Sequence, residues 1–156
     1  MIALYSYLIK IVAAILCGGL VGLEREKAQK SAGLRTCILV TMASTMVMLF
    51  STIMQECGAA MDASRVPAYM LSSIGFLGAG IIMAKDNKIE GITTAAILLV
   101  LIPTGLLIGI GEFPLAIVCS VMTFMILKLK YIEIKFKLKK PKKGAKCLTK
   151  KESLKN

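Results

Sequence analysis

The sequence predicts an all-α membrane protein: a bundle of about five transmembrane helices with a short basic cytoplasmic tail. Three observations predict it. Hydrophobic residues make up 56% of the 156. They gather into runs long enough to cross a bilayer, for which about 18 apolar residues suffice. The charges sit between the runs rather than along amphipathic faces. A net charge of +11 would suggest nucleic acid if it covered a folded surface. Twelve lysines instead lie between Lys128 and Lys155, and a basic tail beside a membrane is drawn to anionic lipid. The bilayer is the expected partner, and nucleic acid is not.

The runs divide the chain into a polytopic region, 1–130, and a tail, 131–156. Ile2 to Leu23 is the first, interrupted by Ser6 and Lys10. The second, Cys37 to Met54, carries no charge. The third, Val66 to Ala84, opens with Pro67 in a helix's first turn, where the missing N–H costs nothing. Ile92 to Ile110 is the fourth. The fifth begins Phe113-Pro114 and extends to about Leu129. At about 1.5 Å per residue the first four reach about 27 to 33 Å, enough for a hydrocarbon core. A cleaved leader would need a basic start, and residues 1–9 have none.

Basic residues in the connections set the orientation. Placing the first and third loops and the tail inside puts eighteen Lys and Arg in the cytoplasm and leaves Arg65 outside. The amino terminus is then external and the carboxyl terminus cytoplasmic.

Small residues recur where helices are expected to meet. Gly18 and Gly22 form a GxxxG, as do Gly105 and Gly109. In the third run Ser72, Gly75 and Ala79 share a face flanked by Ser73 and Gly80, with Gly78 nearby. Lipid gives helices no hydrophobic reason to associate, so close backbone approach must supply the attraction. The second run carries Thr41, Ser44, Thr45, Ser51 and Thr52 within an arc of about 120°. That stripe suits bonds across helices better than a polar path, because no acid interrupts it.

Catalytic chemistry finds little purchase. The chain has no histidine, and its five cysteines are scattered without a CxxC pair. Neither a metal centre nor a disulfide framework is expected, and no cofactor or enzymatic activity follows. After Leu127 the period shifts to the near-alternation of LKLKYIEIKFKLKK, which reads as one strand. Lysine-rich residues 141–156 read as disordered.

Three charged places remain. Lys10 lies inside a span, where ionisable groups are costly and often functional. Its stem is also long enough to snorkel to the interface. Asp62 and Arg65, spaced i, i+3, suit either a helix cap or a ligand site. Glu24 and Arg25, with Arg35 and Thr36 at the far end of the same connection, suit either a site at the membrane edge or a turn that fixes topology.

The blocks GGLVGLEREK, SAGLRTCILV, SSIGFLGAGII and EGITTAAILL, in that order over residues 18–100, resemble the MgtC/SapB family of bacterial membrane proteins. The resemblance implies a multi-pass protein of the bacterial cytoplasmic membrane, concerned with low magnesium and, in pathogens, with virulence. It also implies regulation through other membrane proteins, such as restraint of the F-type ATP synthase, and it leaves room for a homo-oligomer. It adds Thr93 and Thr94 to Glu24, Arg25, Arg35, Thr36, Asp62 and Arg65 as candidate functional positions. Ser73 and Ala63 depart from the Gly and Pro usual in the family, and Leu99 stands near a usual Trp. Many members continue into a soluble C-terminal domain, whereas only one strand is expected here after the spans. Two readings follow: a non-enzymatic regulator working by membrane contacts, or a small Mg²⁺ transporter or channel.

Overall fold

The computed structural model describes residues 2–58, 62, 64–85 and 88–137. Five helices follow one another: α1 (Ile2–Lys27), α2 (Leu34–Glu56), α3 (Arg65–Ile81), α4 (Ile92–Ile110) and α5 (Phe113–Lys137). A short antiparallel hairpin, β1 (Met83–Lys85) and β2 (Lys88–Glu90), joins α3 to α4, with Met83 opposite Glu90. Residues 1–125 form the bundle, and a separate unit begins at Ile126.

Among the described residues, three helices are long and apolar enough to cross a membrane: Leu4–Lys27, Leu34–Glu56 and Ile92–Ile110. Those residues leave the backbone no solvent to bond, and a helix satisfies every interior N–H and C=O within itself. α3 has 17 residues, and the apolar part of α5 is Phe113–Leu129. The five expected spans thus correspond to five helices, of which α3 is short and α5 is apolar only over its first part.

Three elements depart from the sequence expectation. α1 does not stop at Leu23. Glu24, Arg25, Glu26 and Lys27 are good helix formers, and they continue it as a final turn. The helix ends in a Schellman closure: the Lys30 N–H bonds the Arg25 carbonyl at 3.2 Å, and the Gln29 N–H bonds that of Glu26 at 3.0 Å. Gln29 takes the left-handed φ of 49° that this closure needs. The third run stops three residues short of Ala84, because Met83–Lys85 pairs back on Lys88–Glu90. The strand expected after Leu127 is absent: α5 stays helical to Lys137. A lone strand leaves its backbone unpaired, whereas extending an existing helix adds one bond per residue without a new nucleus. Residues 141–156, expected to be disordered, lie outside those described.

α2 is the middle of the bundle. On one side Gly18 and Gly22 bring α1 against it: a Cβ at Gly18 would lie 2.7 Å from the Thr41 hydroxyl, and one at Gly22 would lie 2.8 Å from Leu34 Cα. On the other side Gly105 and Gly109 bring in α4, where a Cβ would run into Ser44 and Met48 respectively. Thr41, Ser44 and Thr45 are fully buried between them. Their hydroxyls donate to carbonyls of the preceding turn, and Thr45 also donates across to the Gly105 carbonyl at 2.9 Å. The stripe is thus consumed by packing and bonds within the bundle. Phe113 and Ala116 at the start of α5 close a small apolar cluster with Ala14, Cys17 and Ile108.

α3 sits differently. Only Pro67 and Ile74 are buried, and Gly78 faces Ala95 of α4. Ser72, Ser73, Gly75, Ala79 and Gly80 are all exposed. A Cβ at Gly75 or Gly80 would meet nothing within 4 Å, and Phe76 is 85% exposed.

The hairpin returns to α4 through Gly91, whose φ of 92° is left-handed. A Cβ there would strike the Ile81 carbonyl, so this re-entry depends on glycine twice over.

Candidate functional site

The last turn of α1 and the first turn of α4 meet at one end of the bundle. Gly18, Gly22 and Arg25 recur at i, i+4 and i+7, on the face that α1 turns to its neighbours. The glycines bring α1 close, and Arg25 carries that face one turn beyond them. Its guanidinium is 5% exposed, and Nη2 donates to the Thr94 hydroxyl at 2.7 Å. The Ser31 hydroxyl approaches the same Thr94 oxygen at 3.5 Å. Thr94, 3% exposed, is the third residue of α4.

Burying a guanidinium costs several kcal/mol unless its donors are met. Arg25 is only partly met, since Nε is buried without a partner. Glu24, 8% exposed, lies on the α1 face that also carries Ala14, Cys17 and Val21, and its Oε2 accepts no hydrogen bond. Two adjacent residues of opposite charge are therefore both buried, and each keeps an unused polar atom. The flanking connection is held by a third acid: Glu26 Oε2 accepts the Leu34 N–H at 3.0 Å, capping the first turn of α2.

The eight positions singled out by sequence divide. Glu24, Arg25 and Thr94 are buried at this end of the bundle, with Arg25 and Thr94 in direct contact. Arg35, Thr36 and Thr93 belong to the same end but are exposed. Asp62 and Arg65 lie between the end of α2 and the start of α3, at the opposite end. There the Asp62 carboxylate accepts the Ser64 N–H at 2.9 Å and the Ser64 hydroxyl at 2.7 Å. Those two bonds, with help from the Arg65 charge, hold its carboxyl below the usual aspartate range.

Glu26 and Ser31 were not singled out by sequence reasoning. Their partners are set by how the connection folds back, and no short motif encodes that. The Lys10 ammonium donates to the Gly109 carbonyl at 2.7 Å. That carbonyl is in the last turn of α4, where acceptors lack intrahelical donors and a cation is favoured by the helix dipole. Among the described residues, no three His, Cys, Asp or Glu side chains gather as a metal-ligand set.

Long apolar helices packed together, with the buried charges Glu24 and Arg25 at their edge, define a multi-pass helical membrane protein. Its family follows from comparison with known proteins. The model of the MgtC family matches residues 11–133, and the chain belongs to that family. It is 34% identical over 138 residues to the Escherichia coli K12 protein named "Putative magnesium transporter YhiD", covering 85% of this chain and 64% of that one. It is 35% identical over 119 residues to the protein MgtC of Salmonella typhimurium LT2, covering 76% of this chain and 50% of the relative. With the protein SapB of Bacillus subtilis the identity is 38% over 112 residues, 68% of this chain and 48% of the other. The chain spans about half to two-thirds of the length of these relatives. No solved structure matches it. Family and apolar helices together make it a bacterial membrane protein.

Proposed function

We propose that this protein is a non-enzymatic regulator that acts through helix contacts within the bacterial cytoplasmic membrane, with α3 as the contact element. The carrying observation is the open small-residue face of α3. Ser72, Gly75 and Ala79 are exposed, and among the described residues nothing beyond α3's own neighbouring backbone lies within 4 Å of a Cβ built at Gly75. Close backbone approach is what holds helices together in lipid, and this face offers that approach to a helix from outside. The last turn of α1 and the hairpin between α3 and α4 lie on the cytoplasmic side by the positive-inside rule. A membrane complex such as the F-type ATP synthase is the first partner to test, and a second copy of the chain is the next.

The test is affinity capture from native membranes. The wild type is expected to retain a membrane partner, and Gly75→Leu to lose it while keeping its own fold. A partner that stays bound to Gly75→Leu removes α3 from the reading.

One observation favours a second reading, Mg²⁺ transport: the description carried in the name of the Escherichia coli relative. Against it stand the α2 hydroxyls, which are spent on carbonyls within the bundle. Protein reconstituted in liposomes that moves Mg²⁺, with flux lost in Glu24→Gln, would replace regulation by transport.

A further inference from the structure

We propose that the start of α4 and Arg25 together form a binding site for a phosphate group at the cytoplasmic edge of the membrane. The first intrahelical bond of α4 runs from the Ala95 N–H to the Gly91 carbonyl at 2.9 Å. The N–H groups of Ile92, Thr93 and Thr94 precede it, and Gly91, at the cap position, has no side chain to cover them. Such a helix start carries about half a positive charge and is a ready acceptor of oxyanions.

Arg25 supplies the independent observation. Its side chain is 5% exposed, donates through Nη2 to the Thr94 hydroxyl of that same first turn, and keeps a buried Nε with no partner. A buried guanidinium beside the positive end of a helix places like charges together, which raises the energy of the site unless an anion joins it. The adjacent buried Glu24 supplies negative charge but leaves the Arg25 Nε donor unmet.

The donors also specify the chemistry. The helix N–H groups and the guanidinium come from different elements, α4 and α1, and guanidinium matches phosphate oxygens in geometry. The Thr94 hydroxyl accepts from Arg25 and Ser31, so its own proton is left to donate. Donors in three sets suit a tetrahedral oxyanion better than a single-atom anion. Ile92 and Thr93 are exposed, so the helix start is open on its outer side. At the headgroup level the phosphate could belong to an anionic lipid or be free in the cytosol.

The test uses the purified full chain and involves no partner, so this proposal and the α3 reading fail separately. Inorganic phosphate is titrated calorimetrically against protein in phosphatidylcholine nanodiscs. Retained lipid is measured by native mass spectrometry from nanodiscs with and without phosphatidylglycerol. Binding of free phosphate identifies the soluble source, and selective retention of phosphatidylglycerol identifies the lipid. In either arm Arg25→Lys, which keeps the charge and loses the fork, is expected to weaken binding about tenfold, as is Thr94→Val. Lys27→Gln, removing an exposed charge two residues along α1, is expected to leave binding within about twofold, as a screened surface charge should. Absence of binding in both arms overturns the proposal. An equal loss in Lys27→Gln also overturns it, because general surface charge then explains the effect. Should Arg25→Lys fail to fold, unchanged binding in Thr94→Val overturns it alone.

Discussion

The glycines of α1 and α4 and those of α3 carry the same sequence signature and have opposite surroundings. At Gly18, Gly22, Gly105 and Gly109 a single added carbon would meet α2 at less than contact distance. At Gly75 and Gly80 it would meet nothing. The first group is fully used within the chain: it sets the spacing of α1, α2 and α4 and, through α1, delivers Arg25 to Thr94. The second group packs against no other helix among the described residues. A small-residue motif therefore marks where a helix can be approached, and only its surroundings say whether the approach is already taken.

Adding that carbon deliberately tests the contrast, and it gives the largest effect expected. Gly105→Ala would push a methyl into Ser44 and the Thr41 carbonyl. Overpacking of this kind costs about 3 kcal/mol when backbone must move. Gly75→Ala has open space and gains helix propensity, so it is expected to change stability by less than about 0.5 kcal/mol in either direction. Denaturant unfolding in detergent micelles compares the two. Equal losses would break the distinction between the packed and the open helix.

A smaller effect sharpens the packed side. Thr45 bonds both its own helix and the Gly105 carbonyl of α4. Thr45→Val keeps the volume and removes the bond between helices, and hydrogen bonds between membrane helices average about 0.6 kcal/mol. A loss near that figure would mean that backbone proximity, and not the hydroxyl, dominates the α2–α4 contact. A loss comparable to that of Gly105→Ala would reverse the order.

The class of fold was legible because hydrocarbon leaves so few alternatives. An apolar run of the right length becomes a helix whatever its neighbours are, and α4 occupies 92–110, the same residues as its run. Contacts between distant residues were not legible. Arg25 and Thr94 are 69 positions apart, and Lys10 and Gly109 are 99 apart. Neither pairing follows from any periodicity. The end of α1 runs past its apolar run for a local reason: Glu, Arg and Lys are helix formers. The alternation after Leu127 has the period of a strand, but a single strand leaves its backbone unpaired, and the helix continues instead. Of the candidate site, the chemistry of Glu24 and Arg25 was visible in the sequence, and their burial was not.

The smallest effect expected concerns how α3 is held at its start. Asp62 accepts the Ser64 N–H and hydroxyl just ahead of the first turn, and its carboxyl titrates below the usual range because those donors favour the charged form. With the folded value depressed, this support is complete above the unfolded aspartate value of about 3.9. It is lost as pH falls through the lower folded value. The group is exposed and screened, so the loss is confined to the α3 start and does not reach the whole bundle. Hydrogen exchange should show the amides of Ser64 and Arg65 losing protection as pH falls below about 4, after correction for intrinsic rates, while those of α2 and α4 keep theirs. Asp62→Asn should flatten that dependence. Protection lost in step across α2, α3 and α4 would mean that α3 is as firmly seated as its neighbours, and its open face would then need another explanation.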